Sequence, residues 1–182
     1  FVRTNGRGFI MAVAISFRER YPFPSINYDN ADEHFHQVCY FEFLRMEWRN
    51  FYPSCYAIPN GGTRNRVEAA NMKMEGVKAG VCDVFHGVPM LHPAKHPGGR
   101  DALYAGLYVE MKKPNDSYGV SDKQKAFMDD QRARGYAVGV AYGWFQAVGL
   151  WLYYVGAIGA QEAAQRYSVD TSPEVFGKGI QI

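Results

Sequence analysis

"LYAGLYVEMKKP" (Leu103–Pro114) reads as a strand with two charges where a strand interior expects none. Tyr, Val and Met suit a pleated, half-covered surface. Side chains alternate across a strand, so Leu107, Val109 and Met111 share one face. Tyr108, Glu110 and Lys112 share the other. Glu110 and Lys112 then stand about 7 Å apart at their bases. Pro114 stops the run.

Upstream, "GVCDVFHG" (80–87) is a second short apolar run, and it carries Asp83. A carboxylate is costly to bury unless it is paired or bound to a cation. If 80–87 and 103–113 form a hairpin across the Pro-, Gly- and His-rich loop 88–103, Asp83 and Glu110 converge. Two carboxylates make a hard, oxygen-rich site suited to Mg2+ or Mn2+. A lysine beside them can position water and stabilise charge on a phosphoryl group.

The rest of the chain frames that hairpin. Residues 1–30 are irregular. Asn30 or Asp32 caps a helix over about 33–50 with a broad apolar face. "CYAIPN" (55–60) is a strand, and a helix follows from about Arg64 to Met74 with Gly76 as its stop. Ser121 caps a helix ending at Gly135. "YAVGVAY" (136–142) is the last strand, and "WFQAVGLWLYYVG" (144–156) is a helix packed on the sheet. The order is α, β, α, β, β, α, β, α: an α/β domain around a small mixed four-stranded sheet flanked by helices. Residues 31–160 form the domain. The 161–182 tail reads as peripheral.

Bulk composition agrees. The chain has 182 residues, with 13 Tyr, 12 Phe and 3 Trp, enough for one real core. Net charge is +2, but residues 60–135 hold 12 Lys/Arg against 9 Asp/Glu. Positive charge is therefore locally available for a nucleic acid. Cys39, Cys55 and Cys82 do not form a disulfide framework, which favours a reducing cytoplasm. Residues 135–161 carry no charge and are long enough to span a membrane. Glycines interrupt them, and a strand followed by a packed helix explains them better, so no membrane is expected. Cys82, His86, His92 and His96 match no tight zinc template, and His36 is expected to face solvent or DNA. Phe1 opens the sequence, so Met11 is a candidate start.

In combination, the motifs resemble the VRR-NUC domain of the PD-(D/E)XK nuclease superfamily. The carriers are "IPNGGTRNRVEAANMKMEGVKAGVCDV" and "GLYVEMKKPNDSYGVSDKQKAFMDDQRARGYAVGVAYGWFQAV". They give a Pro-Asn-Gly-Gly turn, Lys-x-x-Gly-x-x-x-Gly-x-x-Asp, a Glu-x-Lys strand, then Ser-x-x-Gln opening a helix. The likeness spans about Asp32 to Tyr154. It implies a restriction-endonuclease-like core and a metal-dependent DNA nuclease. Asp83 and Glu110 would bind Mg2+ or Mn2+, with Glu33 completing the site. Lys112 would be the catalytic lysine and Gln124 a glutamine close by. Asn60, Gly61 and Gly62, with Arg64, Arg66, Lys113, Lys123 and Lys125, would contact DNA phosphate. Stand-alone members resemble phage-type nucleases that act on branched or junction DNA as homodimers. The helix at 144–156 is a candidate dimer interface. Cys82 stands where the family usually has proline. The rival reading is a non-catalytic DNA-binding or assembly protein on the same fold.

Overall fold

A computed structural model describes residues 31–59, 66–92 and 100–181. Helix α1 (Glu33–Glu47) starts at Asp32, whose carboxylate accepts the Phe35 N–H at 2.8 Å. Its inner face buries His36, Cys39, Tyr40, Phe43 and Leu44. A 3-10 turn at Tyr52–Ser54 leads into β1 (Cys55–Ala57), and α2 (Arg66–Met74) follows. Next come β2 (Val84–His86), β3 (Met90–His92), β4 (Ala102–Tyr104) and β5 (Leu107–Lys112). Helix α3 (Asp122–Ala133) connects β5 to β6 (Ala137–Tyr142). Helices α4 (Trp144–Tyr154), α5 (Ala160–Tyr167) and α6 (Pro173–Phe176) and strand β7 (Ile180–Gln181) complete the order.

The main sheet runs β1-β2-β5-β6. β1 pairs antiparallel with β2, and β2 with β5. β5 and β6 are parallel, from Leu107↔Ala137 to Lys112↔Tyr142. The mixed α/β architecture read from the sequence is therefore the one observed. β5 is central and covered on both faces: Leu107, Val109 and Met111 enter the main core, while Tyr108 packs with Cys82, Met128 and Val138 on the other side. α4 lies on β6, and the approach is close. A Cβ at Gly139 would sit 2.5 Å from both Leu150 methyl carbons.

Three expectations change. The 88–103 stretch contributes β3 and β4, which join β7 in a second, three-stranded sheet. Strands of three residues are too short to show a period, so they read as loop. The expected strand 103–113 is correspondingly split, with Ala105 donating to the Gly135 carbonyl at 3.1 Å.

The tail is not peripheral. Tyr167, Val169 and Phe176 belong to the core. Phe176 packs edge-on against Tyr104 and Tyr153, and the Tyr104 hydroxyl donates to the Gly177 carbonyl at 2.8 Å.

The aromatic helix does not offer a dimer surface either. Trp144 and every residue from Ala147 to Tyr154 are buried within the protomer. Among the described residues no helix is long and apolar enough to cross a membrane. The irregular segment 1–30, with Met11, lies outside the described residues.

Candidate active site

The charged row crosses the sheet near the C-terminal end of β5. Glu110 is 1% exposed. The β2–β5 register ends at Val84↔Val109, and one further step sets Asp83 opposite Glu110. Asp83 Oδ2 accepts the Met111 backbone N–H at 2.9 Å, which ties it to the strand bearing Glu110. Lys112 lies two residues along the same face. Its Nζ donates to Glu110 Oε1 at 2.7 Å and stands 3.9 Å from Glu33 Oε1. Glu33 is the first residue of α1, so that helix places a third carboxylate at the mouth of the site.

Gln124 holds the arrangement from the other side. Its Oε1 accepts both the N–H and the hydroxyl of Ser121 at 2.9 Å, forming the capping box that starts α3. Its Nε2 donates to Glu110 Oε1. Glu110 Oε1 therefore takes two donors, while the buried Oε2 accepts none.

Electrostatics follow from that crowding. Burial first, then the Asp83 charge, raises the Glu110 carboxyl from 4.5 to about 7, against the pull of Lys112. Burial also raises Asp83, against the Met111 amide and Lys112. Glu33 is raised by burial, against Lys112, and further by Asp83 and Asp116. Burial alone would lower Lys112. The bond to Glu110 and the charges of Glu110, Glu33 and Asp83 overrule it and raise its pKa. Lys112 is thus held as a cation among carboxylates that resist full ionisation.

Does this donor set suit a divalent cation? The buried Glu110 Oε2 has no hydrogen-bond donor, and Asp83 and Glu110 are hard oxygen ligands whose ionised forms, disfavoured by burial, a divalent cation would stabilise. The fit is good for Asp83 and Glu110, with Glu33 standing beyond the Lys112 ammonium. Among the described residues no three His, Cys, Asp or Glu side chains converge tightly enough to form a ready-made cage.

Other candidates scatter. Asn60, Gly61, Gly62 and Arg64 lie outside the described residues, as does the Arg66 side chain at the start of α2. Lys113, Lys123 and Lys125 are exposed, and Lys125 Nζ is 3.5 Å from Asp122. His36 does not face solvent: it is buried, and its Nδ1 accepts the Trp144 N–H at 3.3 Å. It sits one turn from Tyr40 on the inner face of α1.

The zinc reading fails for its described members, and His96 lies outside them. Cys82 packs with Met128 and Val138. His86 is bonded to the Tyr40 hydroxyl (3.0 Å) and Cys55 Sγ (2.9 Å), and His92 Nε2 lies 2.6 Å from the Tyr154 carbonyl. Asp116 was not anticipated. Its charge acts on Glu33, and Oδ2 accepts the Gly119 N–H at 2.8 Å. The signal was the turn chemistry of Asn115, Asp116 and Gly119.

The model of the VRR-NUC domain family matches residues 40–144. That span holds Asp83, Glu110, Lys112 and Gln124, and Glu33 precedes it. A solved structure described as a VRR_NUC domain protein is similar over 70% of this chain and 91% of that one. The TM-score is 0.52 at 22% identity, a likeness of fold. Comparison with curated proteins found no match.

Proposed function

The chain belongs to the VRR-NUC domain family, a nuclease family, and from that premise we propose that it hydrolyses DNA phosphodiester bonds with a divalent metal ion held by Asp83 and Glu110. The observation that carries the reading is the buried Glu110 carboxylate. One oxygen is fixed by Lys112 and Gln124, the other accepts nothing, and Asp83 faces it. When bound, Mg2+ or Mn2+ supplies charge neutralisation at the phosphate and acidifies water.

The protein's own groups do the rest. The strand pair fixes the two carboxylates at one rung of the ladder, so no reorganisation is needed when a phosphate arrives. Gln124 keeps Glu110 Oε1 turned toward Lys112. The Lys112 ammonium faces the growing negative charge on the phosphoryl oxygens. Water oxygen bonds to phosphorus as one ester P–O bond breaks; the attacking water gives one proton to solvent and the departing oxygen takes one from solvent, leaving a phosphate monoester and an alcohol. Glu33 anchors Lys112 from the solvent side. Lys113, Lys123 and Lys125 meet the flanking phosphates as solvated charges.

Branched or junction DNA is the preferred substrate on this reading. Two measurements test the proposal. Calorimetry should show Mn2+ binding that Asp83→Ala loses. The purified protein with Mg2+ or Mn2+ should cleave at least one of single-stranded, duplex, flap and four-way-junction DNA. A chain that binds no metal and cuts none of these is the non-catalytic DNA-binding or assembly protein instead.

A further inference from the structure

The rung beside the charged row is aromatic. Tyr56 pairs with Phe85, and Phe85 with Tyr108, in the β1–β2–β5 register. Partners across a ladder share a face. Phe85 lies two residues from Asp83, and Tyr108 two residues from Glu110. The ring row and the carboxylate row therefore lie on one face, about 7 Å apart. The rings are continuous: Tyr56–Phe85 centroids are 5.6 Å apart, Phe85–Tyr108 4.5 Å, and Tyr108–Tyr136 5.3 Å.

Core packing explains only one end of this row. Tyr108 packs against Phe127 of α3 and the cluster around Met128. Tyr56 and Phe85 belong to neither apolar cluster, and Tyr56 is 52% exposed on the edge strand. The backbone also keeps room for Phe85. A Cβ at Gly106 would stand 2.9 Å from its ring carbons.

We propose that Tyr56 and Phe85 are a stacking platform for unpaired nucleobases next to the scissile phosphate. The inference rests on the nuclease reading and deepens it. A strand that enters past Glu33 and Lys112 and continues beyond Glu110 passes over this face, and its neighbouring base then falls on the adjacent rung. Every nucleobase has a π-face, so stacking on Phe or Tyr is tolerant of sequence. In a duplex those faces are already covered by neighbouring pairs. The platform therefore selects nucleotides that are single-stranded, flapped or unpaired at a branch. Lys123 and Lys125 are exposed on either side of Gln124, which reaches Glu110, and such cations at the site suit a polyanion rather than an apolar peptide.

The test compares affinities for a labelled 12-nucleotide single strand and a blunt duplex of the same sequence. Calcium replaces magnesium, so that the carboxylates are occupied by a hard cation. Tyr56→Ala should weaken single-strand binding about tenfold, the loss expected for one stacked base, and leave duplex binding within twofold. Tyr56→Phe should restore the wild-type value. Phe85→Leu, which keeps apolar volume but removes the π-face, should reproduce the Tyr56→Ala loss.

If wild type binds both DNAs and Tyr56→Ala moves both equally, or neither, the platform is wrong while the nuclease reading stands. If wild type binds neither DNA, the nuclease reading falls and the platform with it. If Tyr56→Ala instead changes the sedimenting mass of the DNA-free protein, the row is a contact between copies and the proposal is overturned.

Discussion

Glu110→Gln should make the metal-free protein more stable at pH 8 while making it inactive. Glu110 is buried, and its carboxyl is raised from 4.5 to about 7, by burial first and by Asp83 second. Between those values the folded chain binds more protons than the unfolded one, so stability falls as pH rises through the window. Complete by about pH 8, the loss is about 3 kcal/mol. Glutamine keeps the shape and an acceptor for Lys112 but carries no charge to desolvate.

Some gain is given back, because Lys112 loses its ion-pair partner. A net gain of about 1–2 kcal/mol corresponds to about 3–6 °C in Tm for a chain of this length. At pH 5 the wild-type carboxyl is mostly protonated, and the advantage should vanish. The difference between the two proteins is the quantity to measure. His86 titrates with the opposite sign: burial lowers it from 6.5 to about 3, so its contribution rises with pH up to 6.5. Asp83 and Glu33 share the sign of Glu110. His86 and Glu33 are present in both proteins and largely cancel, whereas Asp83 is relieved of a neighbouring carboxylate in the variant, which adds to the gain at pH 8. Thermal unfolding in EDTA at pH 5 and pH 8 gives the answer. Adding Mg2+ at pH 8 should then raise the wild-type Tm and leave Glu110→Gln nearly unmoved. A variant that is equally destabilised at both pH values would refute the argument that this carboxylate is held at a cost.

Gln124→Ala removes both the α3 capping box and the clamp on Glu110, so it should cost about 1 kcal/mol of stability and lower the cleavage rate more than tenfold. Gln124→Glu can still cap but turns the donor to Glu110 into a second carboxylate; lost activity with a stability cost that grows from pH 5 to pH 8, read by cleavage and unfolding together, separates the clamp from the cap. Phe176→Ala should cost about 3–5 kcal/mol in denaturant unfolding, because that ring is 1% exposed in the core. A cost near zero would return the tail to the periphery. Gly139→Ala should overpack α4 against β6 by about 1–3 kcal/mol, and Leu150→Val in the same chain should recover part of it, a coupling that a double-mutant cycle measures.

The sequence made the site's sheet legible because its signals are local. Alternation along 107–112 placed Glu110 and Lys112 on one face, and the observed burial of Tyr108 with Cys82 and of Val109 with the main core follows that alternation. Antiparallel pairing of β2 with β5 then brought Asp83 across. Ser121 and Gln124 announced the start of α3 by their capping spacing. What stayed hidden depends on distant partners. β4 is the middle strand of its sheet, and one of its two partners, β7, lies more than seventy residues on. Phe176 is core only because Tyr104 and Tyr153 wait for it. His36 looked exposed beside Glu33, yet it turns inward to meet the amide that opens α4. The aromatic richness of 144–154 suggested a partner chain, but the protomer's own α1, α5 and β6 cover it.

The claim at the centre is that Lys112 acts as a cation on a phosphate brought to Asp83 and Glu110. The single-turnover rate of DNA cleavage by Lys112→Ala, beside wild type in saturating Mg2+, tests it most directly. With the fold intact by circular dichroism, the rate should fall about a hundredfold or more, the scale of one removed transition-state stabiliser. A rate within a few-fold of wild type would contradict it.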